Sequence, residues 1–550
     1  MTNWWNALTK DRRPEKTVFG LFILLLLLTM YFHEPWFDEI QAWLIAQDAS
    51  WHDLLWVLPH YEGHPPFFHL LLAIPARLGV SGLVGLRCVG AAFSIAAAYL
   101  IIFKSPFPRV ARLCLPFSYF LFYQYGVIVR PYNLMWFLMC LLAVYFPQKD
   151  KRPGLFVLLL AALCACHVYG LAIAGGIAMA WLWEIKGTAS WKDYFKNLLH
   201  DERFHWLLRL LVWALLMLVW ISPREDTYAT NSIFQQAAWW ERALYLLLIM
   251  PADALFTDIF GFSAPLAMIS FPVSLLVYGS LAGAAIWLVT LMYLPREKWK
   301  FILIPFGCLV LSMMYYVYRH HIGLALLVLL WGWWISWPPV KKLPFGAKAL
   351  CTLVLLVPIA WTGCSVYWDI MYPGPCGKPL VQFLQQHRLE HKRIFTDWVV
   401  FKAENFSTQK GVTLTEDLHE PNHTPLATIF SFYAPGNIFA NLNNQAPIRY
   451  ATHIALSPQQ VKQQLQVWRQ GPLPDIWLGE EGLRSLFKDN PAIQQNYAIV
   501  GALNEYHFWK FNSPRRARLP IYAHLSLIEP HQLHPQDTFY FFLTTLGEKK

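Results

Sequence analysis

The stretch TVFGLFILLLLLTMYFHEPWFDE, residues 17–39, decides how the rest of the chain is read. From Thr17 to His33 it contains no Asp, Glu, Lys or Arg, and a helix of that length approaches the ~30 Å hydrocarbon layer of a bilayer, where every backbone group must be satisfied internally. Glu34-Pro35 then stops the helix, because a proline restricts the residue before it. Two adjacent carboxylates, Asp38 and Glu39, follow at once. A first membrane span therefore delivers a pair of acids to one face of the membrane.

Composition extends this reading. The 550 residues are 56% hydrophobic and only 14% charged, against roughly 25% for a soluble domain. That excludes a soluble enzyme and a disordered chain, and nine cysteines are too dilute for a disulfide scaffold. Further apolar segments near 84 to 103, 111 to 127, 131 to 147, 154 to 168, 169 to 184, 207 to 222, 272 to 294, 301 to 318, 322 to 337 and 349 to 366 bring the expected spans to about eleven. The stretches 66 to 80 and 243 to 260 are interrupted by Pro75, Arg77, Pro251, Asp253 and Asp258, and read as interfacial or re-entrant helices, since a mid-bilayer charge costs about 2.5 to 3.5 kcal/mol or more.

Eleven spans put every basic loop on one side: the N-terminus (Lys10, Arg12, Arg13, Lys16), Lys104 to Arg112, Lys149 to Arg152, Lys186 to Arg203, Arg296 to Lys300 and Lys341 to Lys348. By the positive-inside rule that side is cytoplasmic. The first outer loop, 34–83, carries Glu34, Asp38, Glu39, Asp48, Asp53 and Glu62 before any Lys or Arg. The net charge of +10 thus follows from topology, with lipid headgroups as its counterpart and no nucleic-acid partner. The first apolar run reads as a retained signal anchor, in a multi-pass protein of the bacterial inner membrane.

Residues 1–366 read as the transmembrane domain and 367–550 as a soluble extracytoplasmic α/β domain. In the latter, helix-like stretches (Lys378 to Leu389, Pro458 to Gln470, Glu481 to Phe487) alternate with strand-like ones (Arg393 to Trp398, Ile476 to Leu478, Tyr497 to Ala502, Tyr506 to Phe511). Cys364 and Cys376 sit at the outer boundary, as a disulfide or as free thiols.

The first outer loop concentrates the chemistry. Asp38-Glu39 is followed by two amphipathic pieces, Ile40 to Gln47 and Trp51 to Leu58, expected to lie flat at the interface. Carboxylates at a partly desolvated boundary are residues from which a general base is drawn, although a solvated loop accounts for them equally. In Tyr61-Glu62-Gly63-His64-Pro65-Pro66-Phe67-Phe68-His69 two prolines fix the backbone and hold His64 near the Asp38 loop. His64 suits a phosphate, a metal ion or a capping role.

Asp-Glu after the first span, then His-Pro-Pro ahead of an apolar helix, resembles the GT-C superfamily of glycosyltransferases, in particular its protein O-mannosyltransferase and lipid A aminoarabinose transferase group. Three further elements are similar: Arg130-Pro131-Tyr132 resembles the Arg-x-Tyr that begins an outer-side helix, His167-Val168-Tyr169-Gly170 the His-Tyr element at the end of a later span, and Tyr318-Arg319-His320-His321 stands where the group often has Arg-Tyr. The resemblance covers about residues 17–370, and all its motifs fall on the outer face.

It implies a polytopic α-helical membrane protein of GT-C type that moves a sugar from a polyprenyl-phosphate carrier to an extracytoplasmic acceptor with inversion. Asp38 matches the family's base, with Glu39 as helper through acceptor hydrogen bonding or ligation of a cation. Arg130, Tyr132, Arg319, His320 and His64 are the expected phosphate-binding set, because guanidinium forks match phosphate oxygens. Glu62, His167, Tyr169 and His321 are further candidates. No cofactor is required, and a divalent metal on Glu62, His64 and His167 is an option. The competing reading is a transporter or flippase of lipid-linked sugars. Such proteins usually show paired repeats and midplane charges, whereas this chain gathers polarity at one face.

Overall fold

The computed structural model describes residues 12–187, 190–227, 238–256, 273–338, 345–371, 377–396, 425–434, 436, 438–440, 449–453, 471–478, 496–507 and 515–524. Helix α1 (Arg13–Phe32) has Pro14 in its first turn, where a missing N–H is no loss, and ends where His33 turns extended ahead of Pro35. Helix α2 (Phe37–Asp48) follows directly. Asp38 and Glu39 occupy its first turn, where the helix dipole favours negative charge, and Glu39 folds back to accept the Trp36 N–H at 2.8 Å.

The expectation that Ile40 to Gln47 lies flat with one apolar face is corrected. Ile40 through Ala46 is buried without a break, because α2 packs against α3 (Phe67–Arg77), α4 (Gly82–Lys104) and the much later helix Pro425–Phe432. The side chain of Trp43 fits against α4 because residue 85 is glycine: a Cβ there would sit 2.1 Å from the indole. In α3, the Arg77 guanidinium donates to the carbonyls of Ala46 at 3.1 Å and Ala49 at 2.7 Å and lies over the Trp51 ring. The charge that interrupts this apolar run thus caps the C-terminus of α2. At 11 residues α3 measures about 17 Å, roughly half a crossing.

The chain continues through α5 (Pro131–Tyr145), α6 (Pro153–Cys164), α7 (Val168–Lys186), α8 (Glu202–Trp220), α9 (Val273–Tyr293), α10 (Lys300–Met313), α11 (Gly323–Ile335) and α12 (Phe345–Met371). Among the described residues, α1, α4, α7 and α8 are each long and apolar enough to cross a bilayer, and α9 with α10 forms a pair bent by 120°. The chain is a membrane protein. The segment 111 to 127, expected as one span, is not a single helix: Arg109–Cys114 gives way to a 3₁₀ turn at Leu115–Phe117, around Pro116, and then to a π-helix at Phe120–Val127. The 243 to 260 stretch is helical over 243–256, as the end of the short α-helix Trp239–Leu244, a π-turn and a second short α-helix, and residues 257–260 lie outside those described.

Past α12, helices α13 (Gly377–Gln386) and α14 (Pro425–Phe432) accompany a four-stranded sheet of β1 (Ile394–Thr396), β2 (Ile476–Leu478), β3 (Tyr497–His507) and β4 (Arg515–His524) in the order β1-β2-β4-β3. β1 and β2 are parallel and the other pairs antiparallel. The strand expected at 497 to 502 continues through Asn504 to His507, with a register shift between Ile499 and Gly501, and so takes in the start of the strand expected at 506 to 511, of which 508–511 lie outside the described residues. The helices expected at 458 to 470 and 481 to 487, and Cys376, lie outside the described residues. One continuous apolar core joins Phe22 of α1 and Trp136 of α5 to Leu380, Phe430 and Ile476 further along the chain.

Candidate functional site

The site begins with Glu39, which is 1% exposed. Its Oε2 accepts the Trp36 N–H and faces His33 Nε2 at 2.9 Å, while its Oε1 accepts the Val129 N–H at 2.7 Å. His33 Nδ1 lies 2.7 Å from Asp369 Oδ2 on α12. Glu39, His33 and Asp369 thus tie the end of α1, the start of α2, the extended segment before α5 and α12 together. The sequence reading gives Glu39 a helper role through acceptor hydrogen bonding or ligation of a cation; in the structure both its oxygens face protein groups. Removing any member would leave a buried charge uncompensated.

The Val129 end of this knot is set by the π-helix at Phe120–Val127, whose exposed carbonyls would otherwise be orphaned. Asn133, fully buried, donates to the carbonyls of Tyr125 at 2.8 Å and Gly126 at 3.1 Å, and its Oδ1 accepts the Arg130 N–H at 2.8 Å. Arg130 is thereby the N-cap of α5 in extended conformation, with Pro131 locking the first helical residue. Its Nη1 lies 3.1 Å from Asp38 Oδ2. The N–H is not aimed along that line, so the contact is a charge pair rather than a well-formed hydrogen bond. The Arg130 guanidinium sits 5.2 Å from the Tyr132 ring centroid.

Tyr132 leads into a wall of rings. His167 is 5.5 Å away, His320 5.8 Å and His321 5.9 Å between centroids. His64 lies 5.7 Å from His167 and stacks on His69 at 5.0 Å. His167 is the N-cap of α7, its Nδ1 accepting the Tyr169 N–H, so the neutral ring carries its proton on Nε2, 3.4 Å from the Tyr132 hydroxyl. His321 Nδ1 likewise accepts the Tyr318 N–H at 2.9 Å. The Tyr169 hydroxyl donates to the Tyr316 carbonyl, which pins α7 to the 314–321 turn.

Burial, and then the positive charge of Arg130, hold His320 and His321 well below the ordinary imidazole range. Burial also lowers His64, against the pull of Glu62. Burial is the largest influence on Arg130 and opposes its charge, but Asp38, Tyr132, Tyr316 and Glu39 together outweigh it and Arg130 stays above its usual value. Among the described side chains the arrangement therefore presents the Arg130 cation among neutral imidazoles and tyrosines, with the Asp38 carboxylate, 40% exposed, at its edge. Chemically it can take an anion beside a base.

Glu62, His64 and His69 form a second feature, their ligand atoms all lying within 4.8 Å of one another. His64 Nδ1 and His69 Nε2 are buried without hydrogen-bond partners. Two imidazole nitrogens and a carboxylate are a donor set for a zinc-like ion with an open position. The sequence reading had His167 in that set; the structure puts His69 there and leaves His167 as a cap. Glu62 also accepts from Gln41 Nε2 at 2.9 Å.

The structure brings Asp38, Arg130, Tyr132, His64, Glu62, His167, Tyr169, His320 and His321 together from five separate parts of the chain. Arg319 opens the 3₁₀ turn Arg319–His321, and its side chain lies outside those described. His33, Gln41, His69 and Asp369 were missed. His69 stands in the same quoted motif and carries the signal of a second imidazole; Asp369, near the C-terminal end of α12, carries none.

No protein-family model and no curated protein matches the chain. Among solved structures, the chain is similar to the arabinofuranosyltransferase AftD from Mycobacteria, with a TM-score of 0.36 and 15% identity over 94% of this chain and 40% of that one. A second cryo-EM structure of that protein, a mutant, gives a TM-score of 0.34 and 14% identity over 93% and 41%. The chain spans about two fifths of the length of those structures.

Proposed function

We propose that the protein is an inverting glycosyltransferase of the bacterial inner membrane, moving a sugar from a polyprenyl-phosphate carrier to an extracytoplasmic acceptor, with its site and C-terminal segment on the outer face of about eleven spans. The observation that carries this reading is the approach of Asp38 to Arg130 at 3.1 Å within a wall of neutral histidines. An inverting transfer needs a base, a cation for the leaving phosphate and an apolar surround.

In this reading the donor phosphate competes with Asp38 for the Arg130 guanidinium, whose fork suits phosphate oxygens. His320 and Tyr132 lie beside it, and Arg319, in the same turn as His320, is the second cation proposed for the phosphate. Asp38, released, takes the proton of the acceptor hydroxyl. The acceptor oxygen bonds to the anomeric carbon from the face opposite the phosphate, the bond from that carbon to phosphate breaks, and the polyprenyl phosphate leaves with the electron pair. Glu39 acts by positioning Asp38. A divalent ion on Glu62, His64 and His69 would supply further positive charge beside the acceptor.

The test is transfer from a labelled polyprenyl-phosphate sugar by the purified full-length protein. Activity that survives Asp38→Asn removes the base, and donor binding that survives Arg130→Ala with Arg319→Ala removes the phosphate site.

A further inference from the structure

The segment 449–453, far along the chain, runs beside α2. Arg449 grips Asp48 at the end of α2 with two bonds of 2.7 Å and donates to Gln47 Oε1 at 3.0 Å. Two residues on, the Ala451 N–H donates to Gln41 Oε1 at 2.8 Å, and Gln41 Nε2 donates to the Ala451 carbonyl at 2.6 Å. The same Gln41 nitrogen reaches Glu62. His453 then places its Nε2 3.4 Å from Glu62 Oε1 and its ring edge-on to Phe37, the residue before Asp38. Its carbonyl accepts from Thr227 at 3.4 Å.

The segment therefore tracks α2 from its C-terminus to its N-terminus, ending at the turn that carries Asp38. Two features set it apart from ordinary packing. Gln41 is buried and offers both ends of its amide to one backbone residue, the way a β-strand partner would. His453 has a φ of 55°, a left-handed conformation that a branchless glycine takes freely and a histidine adopts at a cost, and such positions cluster at functional sites.

We infer that residues 449–453 are a strap that completes the transfer site, with His453 as a positioning residue: it holds the Glu62 carboxylate and, through Phe37 and Gln41, the register of the turn bearing Asp38. This rests on the glycosyltransferase reading above. In full-length protein, His453→Ala lowers kcat on the order of 10- to 100-fold, the scale of a misplaced reacting group, with the KM for donor unchanged. His453→Gln, which offers an amide N–H where Nε2 stands, recovers most of the loss. His453→Gly loses kcat like alanine, yet its unfolding midpoint equals or exceeds that of the parent, because the left-handed backbone is relieved.

A parental kcat in His453→Ala overturns the inference, as does a glutamine variant no better than alanine. If the parent protein transfers no sugar from any polyprenyl-phosphate donor, the functional reading falls by itself. The strap is then decided by amide hydrogen exchange in α2: faster exchange in Arg449→Ala with Gln41→Ala upholds it, and unchanged exchange overturns it.

Discussion

Asp38 Oδ2 and Arg130 Nη1 meet at 3.1 Å, one from the first turn of α2 and the other from the N-cap of α5. Asp38 is 40% exposed, so water screens the pair and it adds little to stability. Its worth lies in what it holds ready. Asp38→Asn is expected to leave the unfolding midpoint nearly unchanged and to lower kcat by about 10² to 10⁴, the usual contribution of a general base. Thermal melts and steady-state kinetics on one preparation check both halves, and a kcat loss that merely follows a lowered midpoint counts against the assignment.

Glu39 is expected to behave in the opposite way. Its two oxygens accept two backbone N–H groups and face His33 in a buried site. Glu39→Gln puts an amide N–H against a donor, and the unsatisfied group costs about 1 to 3 kcal/mol or more. The midpoint falls in a melt in detergent, and activity falls with the folded fraction. An unchanged midpoint with lost activity would return Glu39 to the chemistry itself.

His320 and His321 give stability a pH dependence. Unfolded, an imidazole titrates near 6.5. Folded, burial and Arg130 keep both rings neutral well below that. Above about pH 6.5 neither state binds the protons and stability is flat. Below it the unfolded chain takes up protons that the folded one refuses, so stability drops as pH falls, by up to about 1.4 kcal/mol per pH unit for each ring until its folded value is reached. Midpoints measured from about pH 8 to about pH 5 show this slope, and His320→Gln with His321→Gln reduces it. An identical slope in the double variant counts against the burial argument.

Glu62, His64 and His69 predict retention of a divalent ion. Elemental analysis of purified protein is expected to find about one equivalent per chain, lost in His69→Ala with His64→Ala, since removing two of three ligands leaves too few to bind. Retention of the ion by that double variant would place it elsewhere.

Much of this was legible in the sequence, for identifiable reasons. Apolar runs are a direct consequence of the solvent they face, so helices lie at most of the segments expected to cross. The 111 to 127 segment broke because Pro116 and the π-helix after it depend on local geometry, which hydropathy does not register. Asp38, His64, Arg130, His167 and His320 were visible because charged and polar groups at the end of apolar runs stand out. Glu39 was visible too, but its surroundings were not: whether a carboxylate faces open space or a backbone amide depends on partners such as Val129, which only the fold brings near. The burial of α2 was hidden for the same reason, since its cover comes from Pro425–Phe432.

Gln41 and Ala451 are 410 positions apart. A ribosome adding roughly 5 to 20 residues per second has already released α2 on the order of a minute before its clasp emerges. Through that interval the nascent polypeptide carries its acids and imidazoles without the segment that clasps α2, so on the strap proposal the arrangement cannot be completed before residue 453 has been made.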